Sequence, residues 1–200
     1  MKKFFGSAAI ALLIMLLLAG CAQNQEGGAA SEKEKGGKLQ IVATLFPQYD
    51  FARQIAGDKA EVILLLPPGV ESHSFEPTPS DIIKINRSDL FLYTGEAMEI
   101  WSGRIIEGMK SAGSESLVLN VSQGIKLEDD GVVDPHIWTD PVNAEAMAAN
   151  ILEALCSLDP VNADYYRANA ADFSAALSDL DAEFRTIVNN GKRDKIIFGS

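Results

Sequence analysis

The feature that most limits the fold is an alternation of short apolar runs with helical patterns, which starts at Leu39. LQIVATL (Leu39 to Leu45) is a β-rich run, Pro47 suits the first turn of a helix, and Phe51, Ile55 and Ala56 then share one helical face. Gly57 is placed to cap that helix. AEVILLLP (Ala60 to Pro67) is apolar almost throughout, the pattern of a strand covered on both faces. Thr78-Pro79-Ser80-Asp81 has the form of a capped helix start, with Ile82, Ile83 and Ile85 following. DLFLYTG (Asp89 to Gly95) is a third strand, a helix runs from about Met98 to Ala112, and a fourth strand lies around Leu117 to Asn120. Such alternation predicts the α/β class: a four-stranded parallel sheet with helices on both faces, joined by right-handed crossovers.

The pattern then changes. Asp140-Pro141 opens a helix to about Leu158, and Asp159-Pro160 opens another. In the second, Phe173, Leu177, Leu180, Phe184 and Ile187 step by four, three, four and three, and the helical pattern lasts to about Asn189. At roughly 1.5 Å per residue it extends about 45 Å, the length of a coiled-coil arm or of a strut between two lobes. Asn189-Asn190-Gly191 ends it, and DKIIFGS (Asp194 to Ser200) has the pattern of a new strand. The expected organisation is an α/β lobe over 39–158, a long linking helix over 159–190, and the first strand of a second α/β lobe over 191–200. The remainder of that second lobe is expected on a longer reading frame.

Ahead of the lobe, Lys2 and Lys3 precede an apolar run from Ala8 to Leu18. That run is shorter than the roughly 20 residues of a membrane span and fits the core of a signal peptide. It closes on Leu18-Ala19-Gly20-Cys21, which resembles a bacterial lipobox and predicts a leader over 1–20 with lipid attached at Cys21. The lipid anchors rather than spans a membrane, so the expected location is extracytoplasmic. The segment 21–38 is rich in Gln, Glu, Gly, Ser and Lys and is expected to be a flexible tether. The other cysteine, Cys156, falls on the apolar side of a helix and is expected to be a buried thiol. A formal net charge of -11 argues against nucleic acid as a partner.

Only two histidines occur, and both fall in proline-stiffened loops: GVESHSFEPTPSD holds His73 and VVDPHIWTDP holds His136. In a parallel α/β sheet, ligands bind beyond the carboxyl ends of the strands. The second strand leads through Pro67-Pro68-Gly69 to His73, and the chain after the fourth strand brings His136 to the same edge. Glu71 and Glu76 accompany one imidazole, Asp134 and Asp140 the other. Such a carboxylate either ligates a metal directly or accepts the second ring N–H of a ligating histidine, and Glu76 and Asp134 are the candidates for the latter role. Neutral imidazole suits zinc and other late transition metals. Neither histidine belongs to a dense ligand spacing, so the residues alone are compatible with ordinary loop histidines as well.

The two motifs, in this order with the lipobox, IVATLFPQYDFARQIAGD, LLPPG, DLFLYTGE and a long helix, resemble the metal-binding receptors of bacterial ABC transporters for zinc and manganese, the ZnuA-like or TroA-like cluster. The resemblance covers Leu39 to Ser200. It implies two α/β lobes joined by a rigid helix, with His73 and His136 as metal ligands from the first lobe and the remaining ligands from the second. It implies Zn²⁺ or Mn²⁺ as transported ligand, an ABC permease as partner, and no enzymatic activity. Many zinc receptors of this type carry a histidine-rich loop before the second histidine; GIKLEDDGVVDP, Gly124 to Pro135, is acidic and has none. The alternative expectation is a metal-binding surface adhesin without a transport role.

Overall fold

The computed structural model describes residues 37–126, 128–129 and 132–193. The expected leader, most of the tether, Cys21 and the strand over 194–200 lie outside these residues.

Four parallel strands form the sheet: β1 (Leu39–Ala43), β2 (Ala60–Leu64), β3 (Leu90–Tyr93) and β4 (Leu117–Asn120), in the order β2-β1-β3-β4. Successive side chains of a strand point to opposite faces, and the core divides accordingly. Ile41, Ala43, Leu90 and Leu92 face one layer, built on helices α1 (Phe46–Ala56), α4 (Pro141–Leu158) and α5 (Ala163–Asn189). Val42 and Phe91 face the other, with Ile85 of α2 (Pro79–Arg87) and Met109 of α3 (Ser102–Ser111). The sheet is thus covered on both sides, as its apolar runs predict. The central strands β1 and β3 carry the most buried residues. β2 is an outer strand and only half-buried, so its apolar run overstates its cover, although Val62 and Ile63 still pack on opposite faces.

The sequence signals for helix ends hold in three places. Gly57, at φ +54°, donates its N–H to Arg53 at the end of α1. The Thr78 and Asp81 side chains exchange bonds with each other's backbone N–H at the start of α2. Asp140 accepts from Val142 N at 2.8 Å at the start of α4. Two starts differ. Helix α3 begins at Ser102, four residues later than expected, because the Glu99 side chain folds back onto the end of β3. Asp159 opens a 3₁₀ turn, Pro160–Asn162, before α5 starts at Ala163; its carboxylate accepts from the Tyr166 hydroxyl at 2.6 Å and the Asn162 amide at 2.7 Å. Cys156 is half-buried against the core beside α5. The acidic loop also contains more structure than the sequence suggests: Glu128–Asp129 and Val132–Val133 form a short antiparallel ladder, β5 and β6.

Helix α5 has 27 residues, about 40 Å at the usual rise. Its first half is core: Ala163, Tyr166 and Ala170 are buried, and Phe173 packs on Phe51 with ring centroids 5.1 Å apart. Along its second half Leu180, Phe184, Ile187 and Val188 are exposed.

A polar knot joins the central strands at their carboxyl ends. Gln48, 0% exposed, accepts from Thr44 N at 3.1 Å and Leu45 N at 3.0 Å. Its amide donates to Thr94 Oγ1 at 2.5 Å and Glu99 Oε1 at 3.3 Å. Glu99, 2% exposed, accepts from Thr94 N at 3.1 Å and Gly95 N at 3.0 Å and contacts the Thr44 hydroxyl. Burial raises the Glu99 pKa above its ordinary 4.5, and these donors only partly offset that. An acid whose pKa is higher in the folded chain than in the unfolded one supports the fold most fully below the unfolded value. That support fades as pH rises through the folded value. Denaturant midpoints measured from pH 5 to pH 8 should therefore fall for the parent relative to Glu99→Gln; parallel profiles would show that Glu99 titrates normally.

Candidate metal centre

The two histidine loops follow the outer strands and meet. Neighbouring strands lie about 4.8 Å apart, so β2 and β4 are separated by about 14 Å, and loops from both sides must reach inward to share a site. From β2, the ladder continues through Leu65 N and Leu66 N, which donate to Ala43 O and Thr44 O. Pro67 to Val70 then turn the chain, closed by Val70 N to Pro67 O at 3.2 Å, with Gly69 at φ +80°, a conformation that favours glycine. His73 follows, exposed. From the other side, the chain passes through β5 and β6 to His136. Ile137, 5% exposed, sinks into the core, and Thr139 N and Oγ1 both donate to His136 O. The short 3₁₀ turn Ile137–Thr139 thus pins the loop while the neighbouring imidazole stays accessible.

The structure brings the two imidazoles together. His73 Nε2 and His136 Nε2 are 3.3 Å apart, with the rings nearly edge-on. Two nitrogens bound to one zinc at about 2.0–2.1 Å on neighbouring tetrahedral corners stand roughly 3.3–3.4 Å apart, so little movement separates this pair from a chelating one. His136 Nδ1 lies 2.8 Å from Asp134 Oδ1. A carboxylate there holds the proton on Nδ1 and turns the lone pair of Nε2 toward His73. The Asp134 carboxylate also accepts from His136 N at 2.9 Å, and these bonds lower its pKa, the backbone one most. Trp138, half-buried against the core, stands edge-on to the His136 ring at 5.5 Å between centroids.

The other expected carboxylates are placed differently. Glu76 faces Arg104, at 3.7 Å, and not the His73 ring. Asp140 caps α4. Glu71 holds the turn of His73 by accepting from His73 N at 3.0 Å and Ser74 N at 2.8 Å, which lowers its pKa, again through the backbone bond to His73 first. Among the described residues no group of three or more His, Cys, Asp and Glu side chains could hold a metal ion. Trp138 carried no role in the sequence reading, although an aromatic residue two positions after a loop histidine was the available signal. The Gln48–Glu99 knot also went unread; its signal was a polar residue between apolar neighbours, Gln48 in LFPQY and Glu99 in AMEIW.

A doubly covered parallel sheet with loops converging beyond its carboxyl edge is the arrangement in which open α/β folds take ligands. The chain belongs to the ZnuA family, zinc-uptake complex component A, periplasmic, whose profile matches residues 41–199. It is 37% identical over 213 residues to the high-affinity zinc uptake system protein ZnuA of Bacillus subtilis, covering 98% of this chain and 65% of that protein. It is 30% identical over 205 residues to the manganese ABC transporter substrate-binding lipoprotein PsaA of Streptococcus mitis, covering 98% of this chain and 64% of that one. In structure it resembles the metal-dependent lipoprotein YcdH from Bacillus subtilis, at TM-score 0.74 and 39% identity over 78% of this chain and 57% of that chain. The chain therefore spans slightly less than two thirds of the length of these relatives. Their names are those of binding and uptake components, not of enzymes.

Replacing Asp134 by alanine should weaken zinc binding by about 10- to 100-fold, the usual worth of a partner that orients a ligating histidine, while Asp134→Asn should recover part of the loss. Titration against a competing chromophoric chelator measures both; full affinity in the alanine variant would remove Asp134 from the site.

Proposed function

We propose that the chain is the receptor part of a metal-uptake system: it captures Zn²⁺, or Mn²⁺, outside the cytoplasmic membrane and presents it to an ABC permease, held at the membrane by lipid on Cys21. The observation that carries this reading is the 3.3 Å approach of His73 Nε2 to His136 Nε2, with Asp134 on the far nitrogen of one ring. His73 and His136 are the ligands this lobe supplies; zinc takes four, so they account for half of a tetrahedral set. The nitrogen spacing suits a shared ion, and one similar protein is named for zinc uptake and another for manganese. Manganese prefers more oxygen ligands, and these two loops put nitrogen at the centre. The helix α5 serves as the strut on which this lobe is carried.

Binding releases or competes with protons, because imidazole ligates only when neutral. Affinity should accordingly decline as pH is lowered. His73→Ala and His136→Ala should each weaken zinc binding at least about tenfold by the same chelator competition. Unchanged affinity in both variants would dismiss this metal centre. For the transport role, a strain lacking the corresponding gene should regain growth in chelator-treated medium with the parent gene and not with the His73→Ala form; no growth with the parent gene would refute uptake as the function.

A further inference from the structure

We infer that Glu71 is the positioning residue for His73, the counterpart of Asp134 on the other loop; the inference rests on the metal-centre reading above. Both histidines stand two residues after an acid, and in both cases that acid accepts the histidine's own backbone N–H: Glu71 from His73 at 3.0 Å, Asp134 from His136 at 2.9 Å. The two clamps differ in their second bond. Asp134 reaches the ring, at Nδ1, whereas Glu71 closes on the next backbone N–H, that of Ser74, at 2.8 Å.

The turn needs such a clamp. Between Gly69 and Thr78 the chain lies in neither helix nor strand, and His73 and Ser74 are exposed, so packing fixes neither. Anchors exist on both sides: the Pro67–Val70 turn before it, and Phe75 after it, half-buried beside Trp101 with centroids 6.2 Å apart. Between those anchors the carboxylate of Glu71 ties two successive N–H groups and folds residues 71–74 into a compact loop. That loop sets where the His73 side chain departs. Without it the imidazole samples many directions, and binding must supply the entropy of ordering them. Asp134 holds both the backbone and the ring of His136; Glu71 holds His73 through its backbone, so the register of this turn decides whether Nε2 arrives.

Chelator competition with Zn²⁺ on Glu71→Ala, Glu71→Gln, His73→Ala and the Glu71→Ala/His73→Ala pair tests this. Alanine at 71 should weaken affinity about tenfold with an unchanged melting temperature, since the turn is exposed. Glutamine keeps one carbonyl acceptor but sets its NH2 against the second N–H, so Glu71→Gln should recover only part of that loss. In the His73→Ala background, Glu71→Ala should add nothing, because its effect passes through His73. Full affinity in Glu71→Ala beside a weakened His73→Ala overturns the inference alone. A further loss in the paired variant also overturns it and makes Glu71 a charge or ligand acting on its own. Full affinity in His73→Ala removes His73 from the metal centre, and the inference falls with it.

Discussion

The carboxyl ends of β1 and β3 pose the problem the rest of the lobe is arranged around. From β1 the chain winds first to β2 on one side and then crosses to β3 on the other. Between the two central strands it therefore leaves the backbone donors of Leu45, Thr94 and Gly95 in the dry interior, where unpaired N–H groups are costly. One glutamine and one glutamate take all three, and Gln48 shares Thr44 N with Leu92 O. Crevices of this kind are where open α/β sheets usually take ligands. Here Gln48 and Glu99 occupy that position, and the two histidines stand instead on loops that follow the outer strands.

That placement gives the site its character. Loops spanning several strand widths over a filled floor gain little from packing, and their order comes from local bonds. The core contributes two buried hooks, Ile137 beside one histidine and the Phe75–Trp101 contact near the other. Carboxylates do the remainder, each spending its acceptors on N–H groups of the loop that bears the imidazole. An acidic residue near a cation site is easily taken as a ligand or as bulk attraction. In this lobe Glu71 and Asp134 are first of all pieces of loop architecture.

The architecture was legible in the sequence because strand and helix write different periods. The run Leu39 to Ala43 alternates between two cores, and α4 puts Met147, Ile151 and Leu155 on one face. Convergence of His73 and His136 was legible too, but only through the topology, since nothing in their spacing brings them together. What stayed hidden depends on side chains that turn back on their own backbone. Glu99 delays α3 by four residues, and no propensity records that. The choice between Glu71 and Glu76 was hidden for a related reason: it is decided by the curl of a turn, and the sequence shows only that both acids are near. Strand order was likewise silent in composition, so an outer strand as apolar as β2 looked fully enclosed.

Capture and release make opposite demands on such a pair of imidazoles. A fully fixed chelate binds tightly and gives up its ion slowly; two free side chains lose affinity to the cost of ordering them. The two loops divide these demands between them. The ring of His136 is fixed at Nδ1 by Asp134 and flanked by Trp138, above a turn anchored in the core. The ring of His73 stands exposed on a turn that is ordered through backbone bonds. One nitrogen is thus presented in a set direction, and the other is brought to it by a loop that carries little buried surface. That loop is exposed, so its order rests on the bonds of Glu71 rather than on the core below.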